Sequence, residues 1–185
     1  MKKILLLMTM VLTCVGAWAQ FPSSNKCYHI TSKDANRGAF YAKPGEGYLS
    51  HCGATYNNYL NKNVAVDSTS TAQQFAFVEY NDQLYLYSVS EKKFAKKDGN
   101  FVKLVDSEPD NVTIVKNGDY WNIKIQGTNK LNFSGGYTYG VYANYNTDDD
   151  GNKLVITEAG DFDPKEALRK LEDPLENNLT LTWAA

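Results

Sequence analysis

The stretch "QLYLYSVSEKKFAKKDGNFVKLVD", Gln83 to Asp106, decides the fold. Apolar and polar residues alternate from Gln83 to Ser88, as on a strand with one buried face, and the pattern breaks at Lys92-Lys93. It resumes through Phe94, breaks again at Asp98-Gly99-Asn100, and alternates a third time to Asp106. A ribbon of three such strands cannot bury its apolar face alone, so it must belong to something larger.

Two other segments carry its spacing, "CYHITSKDANRGAFYAKPGEGYLS" from Cys27 and "YWNIKIQGTNKLNFSGGYTYGVYA" from Tyr120. Leu84 precedes Phe94 by ten residues and Phe94 precedes Gly99 by five; Trp121, Leu131 and Gly136 repeat both intervals. Tyr28 to Phe40 is twelve, two longer at a Lys-Asp-Ala-Asn-Arg-Gly turn, and Phe40 to Gly45 is again five. These glycines fall where a hairpin turn needs positive φ. A fourth strand completes each copy: "FAFV" from Phe75, "VTIV" from Val112 and "LVIT" from Leu154, with Phe75 nine before Leu84 and Val112 nine before Trp121. Three copies of four strands are too few blades for a propeller. They fit an all-β fold, a closed barrel capped by three hairpins: a β-trefoil of three four-stranded repeats over residues 20–160, followed by a short C-terminal helix.

The ends read differently. Residues 1–19 join Lys2-Lys3, an apolar run from Ile4 to Val15, and Ala17-Trp18-Ala19, the pattern of a secretory signal peptide. The run is too short for a membrane span, which needs about 20 apolar residues. The expected location is secreted, periplasmic or cell-surface. From Gln20 onward, 17 Lys and Arg face 21 Asp and Glu, a formal charge of about −4 without a basic stripe, which argues against nucleic acid and anionic membrane as partners. Cys27 and Cys52 then form an even pair. A disulfide between them would contribute roughly 3 kcal/mol by constraining the unfolded chain, and two buried thiols are the other reading. At the far end, Asp163 reads as a helix N-cap, Pro164 as the first helical residue and Glu166 as its capping partner. Ala167, Leu168 and Leu171 make one apolar face, and Asp173-Pro174 ends it. Residues 161–185 are thus a helix with a tail or linker, in which Leu179, Leu181 and Trp183 alternate like a strand without its sheet; a neighbouring domain or surface protein is the partner this implies.

The pattern resembles ricin-type β-trefoil lectin domains of exported bacterial proteins. The nearest stretch is "QQFAFVEYNDQLYLYSVSEKKF", Gln73 to Phe94, where Gln73-Gln74-Phe75 stands in place of that family's Gln-x-Trp element. The corresponding positions of the other copies hold Asp110-Asn111-Val112 and Asn152-Lys153-Leu154. The resemblance implies that Gln73 and Phe75 anchor the core. It also implies that sugar is held by an aspartate near the first turn, an aromatic platform on a later strand, and an amide beyond it. A ring stacks on the apolar face of a pyranose while carboxylates and amides bond its hydroxyls.

Two places supply those residue types. The third copy carries Tyr137, Tyr139, Tyr142 and Tyr145 interleaved with Asn144, Asn146 and Asp148; the first carries Asp34 at its turn and an insertion, His51 to Ala72, containing Tyr56. Capping of the barrel by the tyrosines, and a plain surface elaboration, are the competing readings. "NTDDDGN", Asn146 to Asn152, partly resembles a calcium loop, yet Thr157 stands where a bidentate Glu belongs, so an acidic hairpin turn is the expectation and no metal is assigned. Asp67-Ser68-Thr69 resembles a bacterial O-glycosylation acceptor. No nucleophile elbow, phosphate loop or zinc motif is present, so neither an enzyme nor a cofactor is expected. The expected function is a secreted, non-catalytic carbohydrate-binding module with a glycan partner. A protein-binding trefoil, such as a protease inhibitor acting through the insertion, and a structural accessory domain are the alternatives.

Overall fold

A computed structural model describes residues 21–53, 61–133 and 140–172. It contains twelve strands: β1 (Lys26–Ser32), β2 (Ala39–Ala42), β3 (Leu49–Cys52), β4 (Gln74–Tyr80), β5 (Gln83–Ser88), β6 (Lys93–Asp98), β7 (Phe101–Val105), β8 (Val112–Asn117), β9 (Tyr120–Ile125), β10 (Asn129–Asn132), β11 (Tyr142–Tyr145) and β12 (Leu154–Asp161). One helix, α1 (Lys165–Glu172), follows.

Six strands close on themselves. β1 pairs with β4 (Tyr28 opposite Phe75), β4 with β5 (Phe77 opposite Leu86), and β5 with β8 (Leu84 opposite Val112). β8 pairs with β9 (Ile114 opposite Ile123), β9 with β12 (Trp121 opposite Leu154), and β12 returns to β1 (Ile156 opposite Ile30). Closure removes the free edge that an open sheet would present. The hairpins β2–β3, β6–β7 and β10–β11 cap one end and are tied to each other by backbone bonds. Leu104 N–H donates to Gly47 O (2.8 Å), Ala143 N–H to Asn100 O (2.8 Å) and Val141 N–H to Leu49 O (3.4 Å). This is a β-trefoil with the four-stranded copies that the spacing predicts.

The pairings also fix which residues are equivalent. Tyr28, Leu84 and Trp121 form one inward layer, and Phe75, Val112 and Leu154 stand opposite them in the three copies. Phe40, Phe75 and Phe133 fill the centre, with ring centroids 6.0 Å apart for Phe40 and Phe75 and 4.8 Å for Phe40 and Phe133.

Three expectations need correction. Phe94 is not the counterpart of Phe40 and Leu131: Thr31 opposite Ala39 matches Tyr87 opposite Phe94, so Ala95 takes the core position. Phe94 points to the outer face of the sheet, where Ala76, Val78 and Tyr87 build a second apolar cluster against Ala167, Leu168 and Leu171 of α1. Nor are Cys27 and Cys52 bridged; both are free and buried. Cys52 stands opposite Ala39, and Ala39 opposite Thr31, four residues along β1 from Cys27. At ~3.3 Å per residue that alone is roughly 13 Å, beyond the reach of a disulfide. Burial pushes the Cys52 thiol up to about 12, which leaves it protonated and inert. Finally, Asp163 accepts from Lys165 N–H (3.1 Å) as the cap of α1, but Glu166 turns to Lys92 (2.9 Å) instead of closing the capping box.

Candidate functional site

The three motif positions are structural in every copy. Gln73 is buried; its amide donates to Ala65 O (2.8 Å) while Oε1 accepts from Asp67 N–H (2.9 Å) and lies 3.2 Å from His29 Nε2. Asp110 accepts from Lys97 N–H (2.7 Å), and the Asn152 amide donates to Thr147 O (2.6 Å). Gln73 and Asn152 tie the start of a barrel strand to the loop before it, and Asp110 ties the start of β8 to β6. Gln73 thereby pins the end of the His51–Ala72 insertion.

The predicted site residues separate into distinct places. Tyr56, Tyr137 and Tyr139 lie outside the described residues. Asp34 is spent within its own turn, Oδ1 accepting from Asn36 N–H and amide (3.0 Å each) and Oδ2 lying 3.4 Å from Arg37 Nε. Asp148 is paired with Lys130 (2.5 Å), whose ammonium also donates to Asn146 O (3.4 Å). The neighbouring carboxylates are occupied as well. Asp149 accepts from Gly151 N–H (2.7 Å), Asn152 N–H (3.2 Å) and the Asn132 amide (2.9 Å), and Asp150 meets Lys33 and Lys153 at 3.3 Å each. Hydrogen bonds from Lys153 and Lys33 hold the Asp150 carboxyl below its ordinary range. This is the acidic turn that the sequence suggests.

Tyr142 and Asn144 do come together. They flank buried Ala143 on β11, so the strand's alternation places both on the outer face of the cap. The Tyr142 ring leans on Phe101 of β7 (centroids 5.0 Å), and the Asn144 amide donates to Asn100 Oδ1 (2.5 Å). Phe101 stands opposite Asp98 in its hairpin, and Asp98 accepts from the Tyr48 hydroxyl (2.8 Å). Tyr48 in turn bridges to Lys103 of β7, as Phe101 does to Tyr142 of β11. A continuous strip therefore crosses the cap, with three aromatic rings, one carboxylate and two amides contributed by all three hairpins. Tyr48, Asp98, Asn100 and Phe101 were not singled out from the sequence. The glycine spacing that fixes the hairpin turns places Asn100 and Phe101 beside one of them, and that signal alone could have pointed to them.

Below the strip, His51 is fully buried beside Phe133 (centroids 6.2 Å), at the position that Leu104 and Ala143 hold in the other copies. Desolvation pushes its imidazole down to about 4.

No family model matches this sequence, and no curated protein matches it. Solved structures do. A ricin B-like lectin of Macrolepiota procera, solved in complex with lactose, superposes with a TM-score of 0.54 at 17% identity, over 74% of this chain and 96% of that one. The shared fold is the β-trefoil. The Rhizoctonia solani agglutinin matches this trefoil with a TM-score of 0.53 at 13% identity, over 76% and 99% of the two chains. An endo-β-galactosidase of Clostridium perfringens that releases GlcNAcα1-4Gal matches with a TM-score of 0.55 at 8% identity, over 72% of this chain and 32% of that enzyme.

Proposed function

We propose that this trefoil is an exported, non-catalytic carbohydrate-binding module that uses the cap strip. The observation that carries the reading is the Tyr142–Phe101 ring pair set beside the Asn144–Asn100 amide pair on one outward face. Rings supply the stacking surface for a pyranose, amides supply both donors and acceptors, and Asp98 adds an acceptor for a hydroxyl. Two of the structural neighbours are a lectin and an agglutinin, which fits this assignment. The third neighbour matches over only a third of an enzyme, as an appended module would.

The test is a glycan array and polysaccharide pull-down with the full chain. Binding to one glycan class is expected, reduced about fivefold or more by Tyr142→Ala because stacking on one aromatic ring contributes on the order of 1 kcal/mol or more. Asn144→Ala should act in the same direction. Silence across plant, mucin and host glycans overturns the proposal, as does binding that Tyr142→Ala leaves unchanged.

A further inference from the structure

The end of the barrel opposite the cap is built asymmetrically. Its inward layer holds Tyr28, Leu84 and Trp121 in equivalent positions, and leucine is much the smallest of the three. The segment before β1 lays Phe21 over the two large members, 5.5 Å from Tyr28 and 4.7 Å from Trp121 between ring centroids. Above Leu84 a cavity of about 340 Å³ stays open, walled by Phe21, Val112 and Ile114. That volume lies at the small end of the range of ligand pockets.

The rim is asymmetric too. Glu79, Lys116 and Glu158 stand opposite Leu84, Trp121 and Tyr28, so they are equivalent residues around one mouth. Lys116 sits over the Trp121 ring at 4.3 Å, and Glu158 pairs with Lys26 at 2.7 Å. Glu79 lines the cavity, and so does Asp82 from the β4–β5 turn. Among the described residues neither has an ion-pair partner, and no Lys or Arg lines this cavity.

We propose that this cavity is a second binding site, separate from the cap, for a small organic ammonium ion with an apolar body. The hydrocarbon would fill the space that Leu84 leaves, against Val112, Ile114 and the edge of Phe21. The cation would meet the Glu79 and Asp82 carboxylates, with the Phe21 ring adding a cation–π surface. An anion is disfavoured by the two carboxylates, and a neutral isostere gains only the apolar contact.

The experiment titrates the full chain with phenethylammonium, 2-phenylethanol and 3-phenylpropionate while following backbone amide shifts. Phenethylammonium should move the amides of Leu84, Thr113 and Ile114 and bind roughly twofold to fivefold tighter than the alcohol, the range expected of solvated ion pairs. Phenylpropionate should not bind there. Glu79→Gln combined with Asp82→Asn should bring the cation down to the alcohol's affinity. Leu84→Trp, which installs the third copy's residue, should abolish both. Because Glu79 and Asp82 are exposed, the double variant still decides the matter if Leu84→Trp does not fold. Equal binding of cation and alcohol, shifts confined to another surface, or a cation affinity unmoved in the double variant overturns the proposal. Retained glycan binding at the cap in all these variants separates this site from the first.

Discussion

Two residues under the cap carry the sharpest consequences of burial. His51 occupies a position that is Leu104 in the second copy and Ala143 in the third, and its folded-state value of about 4 lies below the ordinary 6.5. Between those values the unfolded chain binds a proton that the folded chain refuses, so stability is fully present above pH 6.5 and falls as the pH drops toward 4. A shift of this size is worth about 3 kcal/mol at most. Urea unfolding of His51→Leu should show a flatter dependence between pH 6.5 and 4 than the parent; parallel curves would mean that His51 does not set the acid limit. Close by, Gly140 has φ +100° at the position of Tyr48 and Phe101. A Cβ there would lie 3.0 Å from both Ser50 Cα and Ser50 Oγ. Gly140→Ala should therefore cost about 2–4 kcal/mol, combining left-handed strain with a backbone clash. A midpoint in thermal unfolding equal to the parent's would show that the β3–β11 junction can open without loss.

Among the elements, the second hairpin and the helix depend on one another. The β5–β6 turn contains Lys92 at φ +54°. It is one residue longer than equal spacing implies, and this throws Phe94 out of the trefoil core and into the cluster beneath α1. Interval counting could not separate Phe94 from Ala95, because both are apolar and either register gives an acceptable strand; only the partner helix decides. Phe94 packs its ring 4.9 Å from Tyr87 and 6.2 Å from Tyr85 between centroids. Lys170 clamps the helix end to Lys92 O (2.7 Å) and Asp106 (2.8 Å). Phe94→Ala should destabilise by about 3–5 kcal/mol, as large-to-small core changes do, while leaving the cap strip intact. If denaturant unfolding showed a loss below about 1 kcal/mol, the helix would be only loosely seated.

For the whole molecule, what the sequence made legible was whatever lies within a copy. The strand count and the copy boundaries follow from alternation and from the repeated intervals. What was hidden lies between copies: Phe101 and Asn100 reach Tyr142 and Asn144 across a junction more than forty residues wide, and Asp34, attractive by position, is consumed by its own turn. The same division governs stability. Each barrel hairpin is a ladder of six paired residues for β4–β5 and β8–β9, and β12–β1 pairs seven, whereas among the described residues the backbones of the cap hairpins meet only through the one-residue bridges Tyr48–Lys103 and Phe101–Tyr142 and the Val141–Leu49 bond. Hydrogen exchange should therefore be slowest at Ile30, Leu86 and Ile123 in the barrel, near the global unfolding free energy. It should be faster at Leu104, Val141 and Ala143, whose amides make the junction bonds, because local opening of the cap need not break the barrel. Since the strip of rings and amides spans those junctions, a bound glycan should slow exchange at Leu104 and Ala143 more than at Leu86. Junction amides as slow as the barrel's, or a glycan that protects only one hairpin, would show that the cap does not act as one surface assembled from three copies.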